Sequence, residues 1–97
     1  MAIVRTFEGK GWTSEQYDDL IARLVERLGL APGESASGVL FHWAAETDAG
    51  MRAVDVYDTR GDADRLVQDV IGPIAGELGL PLPEITELEI HNYLQPA

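Results

Sequence analysis

Three polar residues, His42, Asp55 and Tyr57, gain significance from where a hairpin would put them. Residues 38–46 and 51–58 read as strands, and Thr47-Asp48-Ala49-Gly50 between them has the composition of a tight turn. A turn of two or four residues keeps the sum of opposed positions constant. His42 then faces Asp55, Leu40 faces Tyr57, and Ala44 faces Ala53, with directly opposed Cβ atoms ~5 Å apart. An odd-length turn or a bulge would break this register. A carboxylate beside an imidazole fixes its tautomer and makes it a competent general base or hydrogen-bond donor. Tyr57, two residues along, supplies a hydroxyl for a developing oxyanion. These three are the candidate catalytic residues. A His–Asp pair that only satisfies itself at a sheet edge has the same spacing.

The alternating residues of this hairpin separate two faces. One carries His42, Asp55 and Tyr57 with Leu40, Ala44 and Ala53; the other carries Phe41, Trp43, Val54 and Val56. Small side chains leave room, so the His42 face is expected to border a cavity under helices. Apolar walls with a few convergent polar groups characterise small-molecule sites. Leu40, Ala44 and Ala53 are candidate ligand contacts, as are Trp12 and Tyr17, placed to close a pocket mouth. The bulky face is expected to meet a partner.

A second polar cluster, His91 with Asn92, falls near the C-terminus, on a last strand expected over residues 85–94. In the expected sheet this strand and the His42 strand are opposite edges, roughly 14 Å apart by strand spacing. His91 is thus read as structural or as part of a dimer rim. The sequence has no cysteine. Without a third ligand near either histidine, no metal site is expected. There is no P-loop, dinucleotide fingerprint or G-x-S-x-G elbow, and no cofactor is expected.

Several elements must hold these residues. Residues 3–7 alternate with β-branched side chains and read as a first strand. Thr13 and Gln16 can form a capping box, flanked by Trp12 and Tyr17 as a hydrophobic staple. Tyr17, Leu20, Ile21, Leu24, Val25 and Leu28 follow on one helical face until Gly29. A second helix begins near Thr59 to Asp62, with Leu66, Val67, Val70, Ile71, Ile74 and Leu78 as its apolar face. Gly72-Pro73 interrupts it, predicting a kink or two short helices with Pro73 opening the second. The order is βαββαβ, an α+β ferredoxin-like arrangement with a four-stranded antiparallel sheet, expected as one domain over residues 1–97.

Helices on one side leave the other sheet face bare, and the hairpin is apolar on both. A two-fold dimer packing sheet on sheet is the simplest cover. The chain of 97 residues carries a formal net charge of −10. A basic face is needed to displace counterions from nucleic acid, and anionic membranes repel the same charge, so neither is an expected partner. No signal peptide is recognisable, and no apolar run reaches the ~18 residues of a membrane span. The default location is the cytoplasm.

With these elements in place, the chain resembles the dimeric α/β-barrel superfamily, in particular small antibiotic biosynthesis monooxygenase-like proteins. The resemblance rests on Gly11-Trp12-Thr13 with Tyr17, on Phe41-His42-Trp43-Ala44, on Asp48 to Arg52, and on Val54-Asp55-Val56-Tyr57-Asp58. Gly72-Pro73 and Ile90-His91-Asn92-Tyr93 add to it. It implies a homodimeric α/β barrel with a ligand cavity between sheet and helices in each subunit. Such proteins include cofactor-independent monooxygenases of aromatic polyketides, polyketide cyclases, haem-degrading enzymes and members without known activity. Tyr57 stands where many monooxygenase-like members carry tryptophan, and the second helix lacks a histidine often found there. The expected function is cofactor-independent acid–base chemistry on a hydrophobic, aromatic or polyketide-like molecule, of monooxygenase or cyclase type. The alternative is a non-catalytic small-molecule-binding dimer or scaffold.

Overall fold

The computed structural model describes residues 1–92. Strand β1 (Ile3–Lys10) leads into helix α1 (Ser14–Leu28), then the hairpin β2 (Val39–Thr47) and β3 (Gly50–Tyr57). Helix α2 (Arg60–Leu66), a π-helical turn (Val67–Ile71) and helix α3 (Gly72–Glu77) form the second helical segment, and β4 (Glu84–Glu89) closes the sheet. All strand pairs are antiparallel in the order β2-β3-β1-β4, so β1 and β3 are central, as in a ferredoxin-like α+β fold.

Local chemistry explains the first helix. Thr13 Oγ1 accepts from Gln16 N at 3.1 Å, and Gln16 Oε1 accepts from Thr13 N at 2.9 Å, which completes the capping box. Leu20 and Leu24 are buried, and Tyr17, Ile21 and Val25 flank them half-buried. Gly29 ends the helix in the left-handed region.

The sheet is buried on one side only. Along β1, Ile3, Arg5, Phe7 and Gly9 are buried, while Val4, Thr6 and Glu8 between them are half-buried on the other face. The core on the helix side joins Ile3, Met51 and Tyr57 of the sheet to Leu20, Leu24, Leu66, Val70 and Ile74 of the helices.

A two-residue turn joins β2 and β3: Thr47 pairs with Gly50, and Thr47 Oγ1 accepts from the backbone N–H groups of Ala49 and Gly50 at 3.3 and 3.2 Å. Gly50 has φ 152°, and a Cβ there would lie 2.2 Å from the Gly9 carbonyl oxygen. No other residue fits this close approach. The turn fixes the expected register over most of the hairpin: His42 faces Asp55, Ala44 faces Ala53, Phe41 faces Val56 and Trp43 faces Val54. One pairing differs. A bulge between Val39 and Phe41 takes up Leu40 as an extra residue, so Val39, not Leu40, stands opposite Tyr57.

The second helix is not simply kinked. Pro73 has no N–H to donate, and its ring would crowd the carbonyl four residues back. The chain widens by one π turn just before it, where the Gly72 N–H bonds Val67 O, and Pro73 sits in the first turn of α3. The last strand is shorter than its apolar pattern. It ends at Glu89, with one further bond from Ile90 N to Ala2 O at 3.0 Å. His91 and Asn92 follow it, exposed, while Tyr93 and Leu94 lie outside the described residues.

Candidate functional site

A cavity of about 280 Å3 opens between the sheet and the helices, on the His42 face. Its sheet wall includes Phe7, Val39, His42, Met51, Ala53 and Asp55. Its helix wall includes Tyr17, Leu20, Ile21, Leu24, Leu66 and Ile71. Trp12 closes one side: its Nε1 donates to the Pro81 carbonyl at 3.1 Å, and its ring lies over Gly9, where a Cβ would come within 2.8 Å. Glu34, Ser35 and Ala36, from the loop between α1 and β2, add to the wall.

The polar groups converge at one end. Asp55 is buried on β3, and its Oδ1 accepts a short hydrogen bond from Nδ1 of His42 on the edge strand β2. Its Oδ2 accepts from the Tyr57 hydroxyl at 2.7 Å. On the far side of the imidazole, Nε2 lies 2.6 Å from the Tyr17 hydroxyl of α1, and the two rings are nearly parallel at 5°. An ionised carboxylate only accepts, so the Asp55 contact assigns the proton of a neutral imidazole to Nδ1. Nε2 is then the acceptor of the Tyr17 hydroxyl. The four side chains form one continuous line, Tyr57–Asp55–His42–Tyr17, from the core to the cavity wall.

Burial sets the protonation of both phenols. It pushes the Tyr17 hydroxyl up to about 12, with the negative charges of Asp55 and Asp18 adding to it. Burial also drives Tyr57 well above the usual phenol range, reinforced by the charge and hydrogen bond of Asp55 and opposed by Arg5. Both hydroxyls therefore serve as neutral donors.

The structure thus joins His42, Asp55 and Tyr57 in one network and places His42, Asp55, Trp12, Tyr17 and Ala53 on the cavity wall. Leu40, Ala44 and Tyr57 are not among the lining residues. Leu40 lies in the bulge, Ala44 packs against the core, and Tyr57 is fully buried with its hydroxyl turned to Asp55. Val39 occupies the wall position that the uninterrupted register gave to Leu40.

Two features are additional. The Tyr17–His42 bond crosses from helix to edge strand, a relation that no spacing within either element encodes. Arg5 is buried beside the network on the same sheet face, its guanidinium bound to Asp64 at 2.5 Å and to Glu87 at 2.9 Å, while Glu87 also holds Arg60 at 2.7 Å. The Ile3-Arg5-Phe7 alternation, opposite Glu87, was the available signal. Among the described residues no three His, Cys, Asp or Glu side chains are grouped to hold a metal ion, and no helix is long and apolar enough to cross a membrane.

No protein-family pattern matches the chain, and no curated protein matches it in sequence. Solved structures match it in fold. A protein from Chloroflexus aurantiacus J-10-fl with the provisional name antibiotic biosynthesis monooxygenase superposes with TM-score 0.64 at 18% identity, covering 98% of each chain. A variant of SnoaB, a cofactor-independent oxygenase from Streptomyces nogalater, superposes with TM-score 0.57 at 21% identity, over 98% of this chain and 96% of that one. A protein of unknown function from Nitrosomonas europaea gives TM-score 0.60 at 21% identity, over 99% of this chain and 93% of that one. At these identities the likeness establishes a shared fold.

Proposed function

We propose that this chain, which has the fold of the antibiotic biosynthesis monooxygenase-like proteins, is a small acid–base enzyme for a hydrophobic, aromatic or polyketide-like molecule. The observation that carries this reading is a histidine oriented by a buried carboxylate in the wall of an apolar cavity. In the reaction envisaged, an acidic C–H bond of the substrate breaks, its electron pair stays behind as an enolate, and the proton is held on the imidazole opposite Asp55. An oxygenase lets that anion combine with dioxygen: a CH2 becomes C=O, the second oxygen leaves as water, and the substrate supplies all four electrons. A cyclase lets it attack a carbonyl of the same molecule. Neither route calls on a cofactor. Support for the oxygenase route comes from the fold shared with SnoaB, itself a cofactor-independent oxygenase.

In the same proposal two copies pair through the bare sheet face, where Phe41 and Trp43 are 47% and 42% exposed and Leu88 is 64% exposed.

Anthrone, a tricyclic ketone with an acidic CH2, tests the chemistry. Under argon, deuterium wash-in from solvent measures proton abstraction; in air, conversion to anthraquinone measures oxygenation. His42→Ala is expected to slow wash-in about 100-fold or more. Equal wash-in in wild type and His42→Ala sinks the enzyme reading, and saturable binding without turnover then favours a non-catalytic binder.

A further inference from the structure

The resting network leaves His42 without a free acceptor. Nδ1 carries the proton donated to Asp55, and the single lone pair of Nε2 is taken by the Tyr17 hydroxyl at 2.6 Å. A substrate in the cavity therefore meets no open imidazole nitrogen. It meets Tyr17, whose ring lines the cavity and whose oxygen retains an acceptor site after donating to His42.

From this geometry we infer that Tyr17 is the group that exchanges the proton with substrate, and that His42 acts through it as a positioning and proton-storing residue. The inference rests on the acid–base reading above and assigns its substrate-facing atom. In the step, the substrate C–H bond breaks and its proton forms a bond to Tyr17 Oη. Simultaneously the original Tyr17 O–H bond breaks and that proton moves to His42 Nε2. The electron pair stays on the substrate as an enolate, and the imidazolium formed lies against the Asp55 carboxylate. Protons and charge balance, and the reverse sequence reprotonates a product.

Three observations support a relay over direct abstraction. The two rings are nearly parallel, with the hydroxyl and Nε2 already at hydrogen-bond distance, so only the proton must move between them. Tyr17 is anchored at the fourth position of a fully capped helix, which fixes its approach to β2. Burial keeps its hydroxyl protonated far into the alkaline range, so it remains a donor to Nε2.

Tyr17→Phe separates this from a role in which Tyr17 only shields His42. Two readouts are paired: anaerobic deuterium wash-in to anthrone, and carboxylation of His42 by diethyl pyrocarbonate, which needs an open imidazole nitrogen. The second of the two histidines, exposed His91, is the internal reference in peptide mapping. The relay expects opposite movements: wash-in falls roughly tenfold or more, while His42 carboxylation accelerates relative to His91. Lost packing alone cannot make the histidine more reactive and the enzyme slower, provided thermal melting shows the fold retained. Wash-in that is unchanged or faster in Tyr17→Phe, while His42→Ala remains inactive, overturns the relay and leaves His42 as the direct base. Unchanged His42 carboxylation overturns it too, since Nε2 was then never engaged. Full wash-in in His42→Ala instead fells the acid–base reading, and the relay with it. Should Tyr17→Phe melt early, Tyr17→Met, which fills much of the space without a hydrogen-bond donor, is held to the same outcomes.

Discussion

The Tyr57 hydroxyl donates to Asp55 Oδ2 at 2.7 Å from a side chain that is itself fully buried. Residues two apart on a strand share a face, so β3 alone sets this contact. It leaves the carboxylate with both oxygens engaged, one by Tyr57 and one by His42. Tyr57 thus supports the site from beneath.

Removing that hydroxyl should be felt as stability. Tyr57→Phe keeps the ring and deletes a hydrogen bond to a buried charge, a loss of about 1.5–3 kcal/mol. Urea unfolding should show a lower midpoint with an unchanged slope. A midpoint equal to wild type would mean that water replaces the hydroxyl.

The phenols also set an alkaline limit. In the folded state burial pushes the Tyr17 hydroxyl up to about 12 and drives Tyr57 well above the usual phenol range, whereas a tyrosine in the unfolded chain titrates near pH ~10. Folded values above unfolded ones mean that the unfolded chain loses these protons first. The stability they contribute is whole below about pH 10 and is lost as pH rises toward the folded values. Of the three tyrosines, two should therefore fail to form tyrosinate near pH 10 and should ionise together with unfolding. Absorbance titration alongside circular dichroism checks this; three normal titrations in an intact fold would contradict it.

How much of this was legible in the sequence follows from the range of each interaction. The His42–Asp55 pairing was readable because a two-residue turn, fixed by Thr47 and Gly50, transmits register by counting. The capping box at Thr13 and Gln16 was readable because four consecutive residues contain all of it. The bulge at Leu40 was not, since a strand absorbs an extra residue according to twist and packing rather than composition. Nor was the widening at Val67–Ile71, although Pro73 announced that some adjustment was needed. Tyr17 could be placed near a pocket, yet its bond to His42 depends on how α1 lies across the sheet, which tertiary packing decides.

Gly9 has a packing role that a single substitution exposes. A Cβ there would stand 2.8 Å from the Trp12 ring, closer than carbon contacts allow. Gly9→Ala should displace the indole, break its bond to the Pro81 carbonyl, and cost about 1–3 kcal/mol of overpacking. Thermal melting reports the cost, and a shift in tryptophan emission reports the displaced cavity wall. Emission and melting identical to wild type would show that the indole moves freely.

The bare sheet face makes the sharpest demand on assembly. Trp43 and Phe41 face away from the cavity, beside Val54 and Val56, and no element of the described chain covers them. If two copies pair there, Trp43→Glu places a carboxylate in each half of the contact, within chains that already carry a net charge of −10. Like charges in a desolvated contact cost several kcal/mol, ample to split a moderate dimer. Sedimentation should find wild type as a dimer and the variant as a monomer at equal concentration. If the proposed acid–base reading holds, each variant subunit should still bind anthrone, because His42 and Tyr17 line the cavity on the other side of the sheet. A variant that remains dimeric would place the contact elsewhere, and a wild-type monomer would leave these aromatics exposed to solvent.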